Sequence, residues 1–489
     1  MNYKDTKLIA FLRTFTPEEL SDFEKFIVSP YFKKGRDLMP FFKVLLKHHT
    51  DYNSENFNEE LIFDELYPGT GFGDKKSKDI LKTLSSSLLK LAEEFIVISK
   101  FRKNNVLRNR IMLDEILNRD LVKYYEQYRE ITADELGVKG KATMQNILEE
   151  YFFEGMNSRY CSQILDYKNY FKHVIRSGEF ISSYFISNLL RIAKTKYLSE
   201  TGRNLKSEKD IVDFLTGALD MKAILKIYEK TPHYVFMGYH YYTYLSLTNN
   251  CDIKYYKSAK EIFFGNKSKL SNSERLYLYS DLLNILNMSF QMKNSSDNRK
   301  EIFELLKSCI EDKAYKFSED DFMQPDFYRN VILNAVYLKE FDWALDFTDN
   351  YTKELKHEFR ENLKYYSRTM IFFGKKEFEE ALVNISKVKY DLVNFKIDVK
   401  IISLMIFFEL QMTEQAYSMT DTFKHFLRSF KELPEELRVS HLNFIKYYLK
   451  ILNINVSGKK DEVLFFRSKI ENEKLVSHKK WLLEKLGDL

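Results

Sequence analysis

Turn formers are scarce in this sequence. Gly and Pro number 15 and 7 among 489 residues, under half of average usage, which is roughly 12%. So few cannot punctuate a sheet protein of many short strands, nor fill a disordered tail. Leu, Lys, Glu and Ile supply long helix-compatible runs instead, so the expected class is all-α. Cysteine is sparse too: Cys161, Cys251 and Cys309 stand far apart, and no CxxC occurs. That spacing supports neither a zinc knuckle nor a thioredoxin-type pair, and isolated thiols fit a reducing compartment. A one-sided charge is also missing, with Lys+Arg at 76 and Asp+Glu at 71. A whole-chain nucleic-acid binder carries a stronger basic bias or a clear basic stripe.

One stretch lacks charge altogether. Residues 231–250, TPHYVFMGYHYYTYLSLTNN, contain no Lys, Arg, Asp or Glu, and a membrane span needs about 20 apolar residues. Pro232, His233, His240, Thr243, Ser246 and Asn249 break its apolar character, so no membrane segment is expected. The start, MNYKDTKLIAFLRTF, places Lys4, Asp5 and Lys7 ahead of any apolar run, unlike a secretory signal. A cytoplasmic protein is expected.

Aromatics are plentiful: 33 Tyr and 41 Phe. They could serve as stacking platforms, but richness in Phe, Tyr, Ile, Asn and Lys also follows from an A/T-rich coding sequence. Residues 1–112 read as an N-terminal helical domain. Thr16-Pro17-Glu18-Glu19 is a helix start, with a hydroxyl cap, Pro in the first turn and acids at the positive dipole end. Ser29-Pro30 ends that helix. A long helix follows LYPGTGFGD, with Asp74 or Ser77 as its cap. Residues 113–230 continue with apolar spacings of three and four, as in YFISNLLRIAKTKYL and DIVDFLTGALDMKAILKIYEK, and TGRNLKSEKD (201–210) reads as a connector.

From 231 to 455 the spacing carries more information. LNAVYLKEFDWALDF, RTMIFFGKKEFEEALVN and LMIFFELQMTEQAYSM each join an apolar helix end, a polar turn and a second helix with a small residue. Those small residues, Ala344, Ala381 and Ala416, recur at 37 and 35 residues, near the tetratricopeptide period of about 34. The pattern resembles the tetratricopeptide repeat family. Around Ala381, Tyr365 and Phe372 match the bulky and aromatic positions of the first helix, while Arg368 and Thr369 depart from the small ones. The charge-free stretch matches the same first-helix pattern through Tyr234, Met237, Gly238 and Tyr241, with a longer turn before YYKSAKEIFF. Read this way it is the inside of a repeat, where a glycine at a helix crossing lets backbones approach. The layout also resembles large helical-repeat proteins of Bacteroidota-type bacteria.

The resemblance implies a right-handed α-α superhelix behind the N-terminal domain, closed by a capping helix within 456–489. It also implies a concave groove lined by the first helices. Its groove positions here are Val235, Tyr239 and Tyr242; Tyr366, Met370 and Phe373; Ile401, Met405 and Phe408. If open, they would hold a peptide or helix on aromatic anchors and adaptable methionines. The alternative is that a tightly wound superhelix, or the N-terminal domain, buries them.

No catalytic, cofactor or metal residues emerge. PGTGFGDKKS puts Asp74 where a phosphate loop needs glycine. HEFRE (357–361) has a glutamate in place of the second zinc histidine. The expected function is a non-catalytic protein–protein interaction scaffold. Two other readings stay open: nucleic-acid binding through basic helix ends such as 99–110 (Lys100, Arg102, Lys103, Arg108, Arg110), and a regulatory protein or enzyme of unrecognised type.

Overall fold

The computed structural model describes residues 3–32, 35–49, 52, 54, 56–138, 143–203, 208–293, 296–318, 321–389, 393–430, 433–458 and 460–488. The protein is all-α, with 24 α-helices and no strand among the described residues. No helix among them is long and apolar enough to cross a membrane. The chain forms two compact units. The first holds residues 1–139 and 152–174, and so takes in the expected N-terminal domain with part of the connecting region. The second holds residues 140–151 and 175–489.

In the first unit, helix Pro17–Val28 begins with the capping box that its sequence announces. Thr16 Oγ1 accepts from the Glu19 amide at 3.2 Å, and Glu19 returns the bond to the Thr16 amide at 3.0 Å. Asp74 caps helix Lys75–Lys103 by accepting from Ser77 N at 2.7 Å. The core of this unit is aromatic. Phe23 lies 5.2 Å from Phe42 and 5.3 Å from Phe95, and Phe15 and Phe26 close on the same cluster, a geometry that rings favour beyond simple burial. PGTGFGDKKS is a turn in which Gly69, Gly71 and Gly73 all take positive φ.

In the second unit the three Ala-marked segments fold alike. Helices Pro325–Tyr337, His357–Gly374 and Val393–Glu409 lead into Phe341–Tyr351, Phe378–Ile385 and Thr413–Ser429. Each first helix ends with a left-handed residue: Lys339 (φ 63°), Lys376 (φ 66°) or Gln411 (φ 56°). The amide after it bonds back five residues, Glu340 to Ala335 and Glu377 to Phe372 at 2.9 Å, Met412 to Phe407 at 2.8 Å. This is the Schellman closure, made without glycine. One turn later Ala344, Ala381 and Ala416 are fully buried where the paired helices meet. From Tyr234 onward, helices pack mainly on the next one or two in sequence.

The charge-free stretch is helix Tyr234–Thr248, and Phe236 through Tyr241 are all buried. A Cβ on Gly238 would come within 3.2 Å of Ile262 on helix Ile253–Asn266 and 3.0 Å of the Tyr234 ring. The glycine thus permits the close approach expected of it. The extra length before the second helix lies in the first helix, not in the turn, which spans only residues 249–252.

Gly374 is tighter still, since a Cβ there would stand 2.6 Å from Phe341 and 3.0 Å from Val336. Gly374→Ala is therefore expected to lower stability by about 1–3 kcal/mol through overpacking. Gly265→Ala, on an open helix position, should raise it by about 0.5–1 kcal/mol. Urea midpoints of the two variants check the opposite signs.

At the C-terminal end, helices Val463–Asn472 and Lys479–Asp488 follow helix Glu435–Ser457. Trp481 stacks on Tyr448 and meets Phe408 edge-on at 5.4 Å. Lys485 pairs with Glu409 at 2.9 Å. Of the connector at 201–210, residues 201–203 continue a helix and 204–207 lie outside the described residues.

Candidate functional site

The nine residues named for a concave groove are not exposed. Tyr239, Tyr366, Met405 and Phe408 are buried; Tyr242, Met370 and Phe373 are half-buried against the same core. Val235 is half-buried and Ile401 buried. Polar partners are supplied internally. The Tyr239 hydroxyl donates to Leu278 O at 2.5 Å, and the Tyr366 hydroxyl donates to Asp398 at 2.7 Å. Arg329 grips the same carboxylate with two nitrogens, one of them at 2.7 Å, the fork geometry that makes arginine–carboxylate pairs strong. Burial pushes both tyrosine hydroxyls well above their ordinary pKa. Five of these positions are packed interior, and the four half-buried ones lie against the same core.

The open apolar surface of the second unit lies elsewhere. Helix Tyr167–Arg203 contributes Ile181, Tyr184, Phe185, Leu189 and Ile192 from residues spaced three and four apart. Helix Ile211–Ala218 faces them with Ile211, Val212 and Leu215. Together they line a groove of about 560 Å³ with no charged side chain in its lining among the described residues. That volume is in the range of ligand-sized clefts. Ile211 and Phe214 are 65% and 68% exposed, Phe185 and Ile192 43% and 49%.

The short helix that forms the far wall is anchored by charge. Asp210 and Asp213 make a reciprocal capping box, and Lys196 reaches across to both carboxylates at 3.1 and 2.6 Å. These contacts hold Lys196 above the ordinary lysine pKa, chiefly through Asp213, and Asp210 and Asp213 below the carboxylate range, chiefly through Lys196. A sequence signal for the groove existed. YFISNLLRIAKTKYL carries more apolar residues than one buried helix face accommodates, and the surplus faces outward.

The basic stretch 99–110 ends helix Lys75–Lys103 and opens helix Asn105–Asn118. Lys100, Arg102, Lys103 and Arg108 are exposed, while Arg110 lies 4.5 Å over the Phe152 ring. His357 begins helix His357–Gly374 and is exposed. All three cysteines are buried, and none is in a disulfide. Among the described residues no group of three or more His, Cys, Asp or Glu could hold a metal ion. Comparison of the chain with protein-family models, with curated proteins and with solved structures finds no match.

Proposed function

We propose that this chain is a non-catalytic interaction scaffold of tetratricopeptide-like helix pairs. It captures an apolar peptide or amphipathic helix of a partner protein in the groove between Tyr167–Arg203 and Ile211–Ala218. The observation that carries the reading is the groove itself: an open, uncharged, aliphatic and aromatic trough on a chain whose other candidate groove residues are packed inside. Supporting the repeat architecture are the three equivalent Schellman turns and the largely neighbour-to-neighbour helix packing. An occupant helix would place apolar residues at i, i+3 or i+4 and i+7 along the trough. Phe185 and Ile192 act as anchors from one wall, Ile211 and Leu215 from the other.

The test is selection of binding peptides from a displayed helical library, followed by affinity measurement on Ile192→Ser/Ile211→Ser. These side chains already face water, so the melting temperature should hold within about 2 °C. Affinity should fall at least tenfold, since apolar anchors dominate such interfaces. Peptides that bind the folded double variant unchanged would place the binding surface elsewhere. A salt series with single-stranded RNA and DNA addresses the basic stretch 99–110, because phosphate contacts weaken steeply as salt rises.

A further inference from the structure

The face of helix Tyr167–Arg203 opposite the groove carries an unusual set of buried groups. Ser183, Ser187 and Lys194 share one side at helical spacing, and all three are buried. The Oγ atoms of Ser183 and Ser187 make no hydrogen bond among the described residues. Lys194 is 1% exposed. Its ammonium donates to Asp281 of helix Asn272–Lys293 and to His240 Nδ1 of helix Tyr234–Thr248, the latter at 2.8 Å. An ammonium has donors and no acceptor, so His240 must present a bare Nδ1 and be neutral.

The surroundings offer a protonated His240 no relief. Asp281 is 3.9 Å from His240 Nδ1 and already paired with Lys194. Tyr239 turns its ring face toward Lys194 at 5.4 Å, and its hydroxyl is committed to Leu278 O. Arg191 adds a further positive charge that acts on both Lys194 and His240. Glu274, on the Asp281 helix, is occupied by the Met144 amide at 2.9 Å. His233, before the first residue of the His240 helix, meets Phe180 at 5.0 Å. A second proton at His240 would remove the acceptor and set two cations 2.8 Å apart beside one carboxylate.

We infer that Lys194, His240 and Asp281 form a proton-operated latch, in which protonation of His240 releases the 183–197 stretch from helices Tyr234–Thr248 and Asn272–Lys293. The two unpartnered serine hydroxyls weaken the same seam, since buried polar groups without partners favour opening to water. The stretch also carries one wall of the groove, so release dismantles it. The latch itself stands whether or not the groove binds a partner. Burial lowers the pKa of both Lys194 and His240, and the lysine charge adds to the effect on the histidine.

Hydrogen exchange on the full chain between pH 7.5 and 5.0, corrected for the intrinsic exchange rate, tests this. The opening equilibrium of amides 187–197 should rise about tenfold per pH unit below about 6.5, the signature of one proton. Helix Pro325–Tyr337 should stay better protected than 187–197 throughout, since the latch opens short of global unfolding. His240→Asn keeps an acceptor that cannot be protonated, and its profile should be flat, whereas His233→Asn should keep the wild-type slope. A flat wild-type profile, an unchanged slope in His240→Asn, or protection of 187–197 no lower than that of Pro325–Tyr337 would each overturn the latch. Should His240→Asn fail to fold, a pH titration of the His240 ring by NMR serves. Protonation of that ring with no matching loss of protection at 187–197 would equally overturn it.

Discussion

Replacing Tyr366 with alanine is expected to cost the second unit about 3–5 kcal/mol, the range for truncating a large buried side chain. The ring is fully buried and meets Phe395 edge-on at 5.0 Å. Its removal leaves a cavity and strips one donor from Asp398, which Arg329 alone would then satisfy. Tyr366→Phe separates the two contributions. It keeps the ring and loses only a hydrogen bond to a charged acceptor, worth about 1.5–3 kcal/mol. Phe373→Ala and Met370→Ala, at half-buried positions, should each cost less than Tyr366→Ala. A tyrosine lining an open groove would shift stability by only about 0.5 kcal/mol. Urea midpoints of the four variants therefore rank packing against exposure. A Tyr366→Ala midpoint close to wild type would mean that the tyrosine is not the interior post described here.

Local devices are legible in a sequence, whereas the inward face of a helix is legible only where a polar face gives it a phase. Thr16, Pro17 and Glu19 form a local capping device whose partners lie within one turn, so it is legible without knowing the fold. Ala344, Ala381 and Ala416 were legible for a similar reason, as small residues at a recurring crossing. The inward side of the helices was not. Helix Val393–Glu409 is buried at nearly every residue from 399 to 408, and Phe236 to Tyr241 are buried without a break. With no polar face, periodicity cannot say which residues point to a groove. Lys194 was hidden by the opposite effect. A lysine reads as surface, and only the convergence of His240 and Asp281, far away in sequence, explains its burial. The Schellman turns lacked the expected glycine, their left-handed positions being filled by Lys339, Lys376 and Gln411.

The second large effect is acid sensitivity. Burial holds His233, His240, His441 and His478 below the ordinary histidine pKa; His441 is pushed down to about 4, with the neighbouring His478 adding to the effect. The His441 Nδ1 shares a 2.8 Å hydrogen bond with Ser477 Oγ, a hydroxyl that also meets Ser440. In the unfolded chain each of these rings takes up a proton near pH 6.5. The unfolded state then binds more protons, so stability is fully present above about pH 6.5 and is lost as pH falls, for His441 down to about 4. One histidine removes up to about 1.4 kcal/mol per pH unit. His441, held down to about 4, gives up about 3 kcal/mol between pH 6.5 and 4, and the other three act in the same direction, against a typical total of about 5–15 kcal/mol. Glu274 works the other way: burial raises its pKa, so its protonation returns a little stability near and below its raised value. The urea midpoint should therefore fall steeply between pH 6.5 and 5. His441→Asn/His478→Asn should fall less steeply, with asparagine tolerating the left-handed backbone of His478 (φ 52°). A midpoint that stays level from pH 7 to 5, or a double variant as acid-labile as wild type, would remove histidine neutrality as the source of stability in this half of the chain.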